Sequence, residues 1–384
     1  MAPRKTQRHV GAPNHRNRRF FRLSGKARTP RLLALTACAS FAMVWVWIAA
    51  VPMAFMDPEY PSWRAKQILL HRCDLGEIVV LGDSRAATDI LPALLPVPGV
   101  NLAVGGGEAI EALATARRML TCPNPPRRVI LSLDPGHFMR PDLFWERSVR
   151  YGLVTAADLA DLRDATRRTG DTSIYTERHI PGLPDRLRGW LYRARFPSFY
   201  FASLAHGGGA LRWRRNRHIL AATLAARGQY VFGTAPGSDS VAVEGHLPAF
   251  QPLPVLDDSF NRLLALLDQR RIEVWFLAMP VNHATWDATR PALRTDFAAY
   301  LSAYAARYRH FHVAPDIMPS WPNRYFGDQF CHMNQAGARR FTAWLAQRLQ
   351  AAPPSTQNDA QNGWFSDTGP EASFNVAPSS KRGS

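Results

Sequence analysis

A chain of 384 residues that is 46% hydrophobic and 20% charged, with eleven Trp and twenty Phe, can bury a sizeable core, which excludes disorder throughout. Cys38, Cys73, Cys122 and Cys331 are too few and too scattered for a disulfide scaffold and include no CxxC pair for structural zinc, so neither a metal nor a cofactor is expected. The net charge of +17 would suit a nucleic-acid binder, yet more than half of it lies in one tail, with ten Lys or Arg and no acid from Met1 to Arg31.

That basic tail, residues 1–31, is followed by Leu32 to Met56, 25 residues without a charge. The run is long enough to span a bilayer. A signal peptide would have a shorter apolar core and a clean small-x-small cleavage site, whereas the Ala-rich stretch from Ala49 to Ala54 is broken by Val51, Pro52 and Met53. The expectation is therefore an uncleaved anchor over 32–56, with cleavage as the alternative. Positive charge flanks one end and Asp57 and Glu59 open the other, so the positive-inside rule leaves the tail in the cytoplasm. The chain would be a single-pass protein of the bacterial inner membrane, with residues 57–351 in the periplasm. The tail then serves as a topology signal that meets anionic membrane lipid, and no nucleic-acid partner is expected.

Beyond the anchor, strand-like apolar runs alternate with helical periods. Glu77 to Leu81, closed by Gly82, reads as a buried strand, as do Val100 to Val104 before Gly105-Gly106-Gly107, and Arg128 to Leu133 before Asp134-Pro135-Gly136. Ile272 to Leu277 and Phe311 to Val313 give two more, each fed by a helix, and a closing helix is predicted from about Gln335 to Leu349. This alternation implies an α/β fold with a parallel sheet, whose ligand site lies beyond the carboxyl ends of the strands. A segment at about 138–250, rich in Arg and aromatics such as Trp145, Trp190, Tyr192, Phe199, Tyr200, Phe201 and Trp213, interrupts the pattern. It is either a largely helical insertion over the site or an elaborated helix with long surface loops. Residues 352–384 are Pro, Ser, Asn, Gln and Gly-rich and are expected to be disordered.

The strand-end rule directs attention to Gly82-Asp83-Ser84-Arg85, which places Ser84 at a strand end and near a helix start. There a serine can act as a nucleophile, or Asp83 and Ser84 can simply cap the helix. Near the far end, Gly327-Asp328-Gln329-Phe330-Cys331-His332-Met333-Asn334-Gln335-Ala336-Gly337 sets an acid and a histidine before the last helix. A nucleophilic serine needs a base, and the base needs an acid to fix its tautomer; this segment can supply both, or it can cap the helix.

These blocks together resemble the SGNH (GDSL-like) hydrolase superfamily, in its membrane-anchored bacterial branch linked to O-acylation of polysaccharides. Val80 to Ser84 is similar to the nucleophile block, Asn101 to Gly106 to the glycine block, and Asp328 to Gly337 to the acid and histidine block. The resemblance covers roughly Glu77 to Leu349 without the insertion. It implies a flavodoxin-like three-layer sandwich with sheet order 2-1-3-4-5, behind one transmembrane helix. It also implies Ser84 as nucleophile, His332 as general base, Asp328 as orienting acid, and the N–H groups of Ser84 and Gly106 as part of an oxyanion hole. Two features depart from the family pattern. The family sets Asp three residues before His, whereas Asp328 and His332 are four apart, and Asp316 is the reserve acid. The family's Gly-x-Asn-Asp block is missing, and Asp134 offers a carboxylate where an amide donor is expected. Asp83, Arg85, Asp134, His137 and His283 are candidates to line the site, His283 also reading as an ordinary loop residue.

In a 2-1-3-4-5 sheet the strands after Cys73 and Cys122 are neighbours, with both cysteines at the amino-terminal edge, so a periplasmic disulfide between them is expected. The resulting expectation is a serine esterase or O-acyltransferase acting on O-acetyl esters of an exopolysaccharide or envelope glycan, without a cofactor. Its partners would be that glycan, membrane lipid, and an acyl-donating membrane protein or export complex. The alternative is an inactive relative that binds glycan or scaffolds a secretion complex.

Overall fold

A computed structural model describes residues 25–141, 143–176 and 208–351 of the chain. Trp190, Tyr192, Phe199, Tyr200 and Phe201 of the aromatic segment, and the tail 352–384, lie outside the described residues. By its internal contacts the chain divides into two units, Met1–Trp47 and Ile48–Ser384.

The first unit carries most of α1 (Gly25–Ala50), an unbroken helix. Its stretch Thr29–Trp47 is long and apolar enough to cross a membrane, and Leu32, Leu33, Leu35 and Met43 are exposed along it.

In the second unit a four-residue turn of helix, α2 (Pro52–Phe55), leads into α3 (Tyr60–His71). Pro52 ends the preceding helix because its ring removes a backbone donor, and Ala54, Phe55 and Met56 are buried. The apolar run of the sequence therefore reaches past the long helix and into the core of the folded unit.

The central sheet has five parallel strands in the order β2-β1-β3-β4-β6. These are β1 (Ile78–Gly82), β2 (Gly99–Asn101), β3 (Arg128–Ser132), β4 (Glu273–Phe276) and β6 (Phe311–Val313). Two-residue strands β5 (Val281–Asn282) and β7 (Ser320–Trp321) pair with each other outside that sheet, so its own strands follow the order 2-1-3-4-5. The register runs Ile78 beside Gly99 and Arg128, and Gly82 beside Ser132. All five residues of β1 are buried, as expected for a β-branched run in a sheet covered on both faces. The helices that frame the sheet and the site include α4 (Ser84–Asp89), α5 (Ala109–Met119), α6 (Ala156–Thr169), α7 (Gly208–Ala225), α8 (Pro254–Gln269), α9 (Pro291–Arg307) and α10 (Gln335–Ala351). Helix α5 packs on α8, α10 on α4, and α7 on α2 and α3.

Crossing from β1 to its neighbour strands returns the chain to the same edge each time. Cys73 and Cys122, which precede β1 and β3, accordingly meet there in a disulfide with their Cα atoms 5.5 Å apart. The segment expected as an insertion contributes α6, α7 and the turn Val243–His246 among the described residues, and is largely helical there.

Candidate active site

Gly82 ends β1 at φ +141°, where a Cβ would collide with the carbonyl of Ser132 on β3. Only glycine fits so close a strand contact, and the chain turns sharply there. Asp83 caps α4: its Oδ1 accepts from the N–H of Arg85 at 2.9 Å and of Ala86 at 3.2 Å. Its Oδ2 accepts from the N–H of Asp134 at 3.1 Å, which ties the ends of β1 and β3 together. Both readings of this turn are thus compatible, because Asp83 does the capping and Ser84, half-buried at the first position of α4, has no hydrogen bond from its hydroxyl among the described residues.

The glycine turn lies against this strand end. Val104 donates its N–H to the Gly82 carbonyl at 3.0 Å, and a Cβ on Gly107 would strike the same oxygen. Gly106 has φ +66°, the left-handed region. Buried Asn101 shapes the approach, donating to the carbonyls of Ala86 and Ile90 and accepting from Ala103.

Asp328 and His332 meet directly, with Nδ1 2.6 Å from Asp328 Oδ2. Asp328 Oδ1 also accepts from the N–H of Phe330 and of His332. Burial alone would raise the Asp328 carboxyl, but these hydrogen bonds outweigh it and hold it below the ordinary range. A carboxylate facing Nδ1 assigns the ring proton to that nitrogen and leaves a lone pair on Nε2. Nε2 is buried and has no hydrogen-bond partner among the described residues, Ser84 included, while Phe232 stacks on the ring at 4.8 Å.

Two contacts tie this loop to α4 on either side of His332. Arg85 donates Nε–H to the carbonyl of Phe330 at 3.0 Å, and buried Asp89 accepts from the N–H of Met333 at 3.0 Å. Burial holds the Asp89 carboxyl well above the usual range and so favours its protonated form. Arg85 itself is buried and paired with fully buried Glu244 at 2.6 and 2.9 Å, with Asp134 at 3.9 Å. Burial would lower the Arg85 pKa, but Glu244 and then Asp134 more than offset it. Sequence alone gave no hint of Glu244, a lone acid in an irregular segment, or of Asp89, which looks like an ordinary helix-end acid.

The remaining candidates divide. Asp134 Oδ1 accepts from the N–H of His137, and His137 Nε2 lies 3.4 Å from Asp134 and 3.8 Å from Asp83. The structure thus gathers Asp83, Arg85, Asp134 and His137 at one strand edge. One atom from each of Asp83, Asp134 and His137 falls within 4.8 Å of the others. The trio fits a cation poorly, because backbone N–H donors already occupy both Asp83 oxygens and Arg85 supplies positive charge beside Asp134. His283 is exposed and bonded to Ser320 instead. Asp316 is exposed, and Asp328 is the acid that meets His332. Comparison with protein-family models, with curated proteins and with solved structures finds no match.

Proposed function

We propose that the protein is a membrane-anchored serine esterase or O-acyltransferase with an SGNH-like, flavodoxin-type sandwich, acting on O-acetyl esters of an exopolysaccharide or envelope glycan. The observation that carries this is the Asp328–His332 pair, whose free Nε2 belongs to a loop bonded on both sides to the helix that Ser84 begins. In the reaction, His332 takes the Ser84 proton as the oxygen attacks the ester carbonyl. Asp328 holds the tautomer and stabilises the imidazolium. Collapse of the tetrahedral intermediate returns that proton to the leaving alcohol, leaving an acyl-Ser84, which water or a sugar hydroxyl then attacks. The backbone N–H groups of Ser84 and Gly106 enter none of the hydrogen bonds found among the described residues, as an oxyanion hole requires. Partners on this reading are the acylated glycan, anionic lipid around the basic tail, and an acyl-donating membrane protein or export complex, with the catalytic unit in the periplasm.

A second reading, an inactive glycan-binding or scaffolding component, is favoured by Asp134. Its carboxylate stands at the end of β3 where an amide donor would help an oxyanion, and a negative charge there opposes one. The deciding experiment treats the full chain, in detergent micelles, with a fluorophosphonate and assays it on nitrophenyl acetate beside Ser84→Ala. Labelling at Ser84, with turnover reduced by about 10³-fold or more in the variant, supports the enzyme. A folded wild-type chain that is neither labelled nor active sinks it and leaves the binding role.

A further inference from the structure

Behind the glycine turn lies a charged cluster around one buried lysine that the proposed chemistry does not use. Lys66, on α3, is 4% exposed, and its Nζ donates to the carbonyl of Ala103. Glu59, one residue before α3, presses on the next part of the same turn: a Cβ on Gly105 would run into its Oε1. Glu59 is itself held by Arg147 at 3.1 Å and by the indole N–H of Trp63 at 3.2 Å. Burying an ammonium group is costly, and an apolar side chain would fill the same space without that cost. Burial accordingly lowers the Lys66 pKa to about 7, against the opposing pull of Glu59, and raises that of Glu59, against Arg147. Such a group is retained where its hydrogen bond fixes something, and what it fixes here is the carbonyl two residues before Gly105.

That turn is the part of the molecule that reaches the Ser84 strand end, through the Val104 bond to Gly82 and the close approach of Gly107. Asn101 also holds it, accepting from the N–H of Ala103. We propose that Lys66 and Glu59 are positioning residues that set the Ala103–Gly107 turn against the Ser84 end of β1, making the lead-in from the apolar helix a working part of the site. The consequence for rate rests on the esterase reading above; the consequence for the turn does not. A turn supplying a donor to a developing oxyanion acts on kcat more than on KM, because the oxyanion exists only in the transition state.

The test uses the full chain in detergent micelles and the unbranched apolar variant Lys66→Met, with Glu59→Gln beside it in case Lys66→Met does not fold. Amide hydrogen exchange in wild type and variants reads the turn without needing activity. Exchange at Val104 and Gly107, the turn amides that donate hydrogen bonds, faster by about tenfold or more, with β1 and β3 unchanged, supports the clamp, whereas unchanged exchange there in a folded variant overturns it. On nitrophenyl acetate, kcat lower by roughly 10- to 100-fold with KM within about twofold, and Ser84 still labelled by fluorophosphonate, supports positioning. Faster exchange with kcat and KM both unchanged overturns the catalytic half of the proposal. A wild type that is never labelled at Ser84 sinks the esterase reading instead, and the exchange result then decides the clamp on its own.

Discussion

At the scale of single residues, Asp328 and His332 show how a four-residue spacing still brings an acid onto a histidine ring. Cys331 sits at φ +58°, a left-handed conformation costing a non-glycine residue about 1 kcal/mol, with its side chain fully buried. The turn that forces it there closes with Gly327 N–H on the His332 carbonyl at 2.8 Å and with Asp328 Oδ1 accepting two backbone N–H groups. The carboxylate therefore still reaches Nδ1 across a four-residue spacing. Asp328→Asn replaces the acceptor facing Nδ1 with an amide that can enforce the wrong tautomer, so labelling of Ser84 by fluorophosphonate should slow by ~10²-fold or more while the chain stays folded. The same carboxyl sits below its ordinary range, so it contributes stability at pH above its unfolded value near ~4, and that contribution is lost as pH falls through the folded value. Urea unfolding between about pH 5 and 2 should show a shallower acid-side loss for Asp328→Asn than for wild type. Lys66 acts with the same sign in a higher pH window, for a different reason, since burial and not pairing lowers its value. With its folded value near 7 and its unfolded value near ~10.4, the folded state binds fewer protons across that window and gains stability as pH rises. Removing the amine in Lys66→Met should remove that gain, so unfolding midpoints at about pH 7 and 9.5 should separate in favour of wild type at the higher pH.

At the scale of elements, the strands were legible because parallel strands buried on both faces are written as apolar runs closed by Gly or Asp, as in Ile78–Gly82 and Arg128–Ser132, whereas their order came from the resemblance and not from the runs. The Asp328–His332 pair was legible because both partners lie in one short segment. Arg85 with Glu244, Asp89 with Met333, and Lys66 with Ala103 were not, since each joins elements far apart in sequence whose proximity only the folded sheet creates. The end of the apolar run was misleading for a related reason. Hydropathy continues through Met56 without a break, but Pro52 stops the helix, and the residues after it are claimed by α7. Fully buried Asn216 donates to the carbonyls of Met53 at 2.9 Å and Met56 at 3.1 Å, and Arg212 donates to that of Phe55 at 3.0 Å. These bonds satisfy the carbonyls that so short a helix leaves open. Asn216→Ala strands two of them and should destabilise the folded unit by about 2–3 kcal/mol, read as a lower urea midpoint with an unchanged slope. By the same logic a soluble form begun at Asp57 removes the buried Phe55 and Met56 and leaves Asn216 and Arg212 without these acceptors. Its midpoint should fall below that of a form begun at Val51.

At the scale of the whole molecule, charge, apolar helix and cysteine placement bear on one question, which side of a membrane the folded unit occupies. Ten of the basic residues precede the apolar run and none of the acids do, a distribution that favours keeping the tail in the cytoplasm and exporting the rest. The disulfide gives an independent handle, because bonds of this kind persist in oxidising compartments and are reduced in the cytosol. Cys73 and Cys122 are 49 residues apart, so by loop-closure entropy the bond restrains the unfolded chain by about 4 kcal/mol. Cys38 and Cys331 are free, one exposed on the apolar helix and the other buried. Thiols blocked in intact bacterial cells and counted after denaturation should therefore number two if the folded unit is exported, with two more appearing on reduction. Four thiols before reduction would place the folded unit in a reducing compartment and overturn the periplasmic proposal. In that case the charge asymmetry would have to be read as lipid attraction alone. Replacing both Cys73 and Cys122 by Ala should then leave stability in the cell unchanged, whereas in the exported form it should lower the urea midpoint of the purified chain.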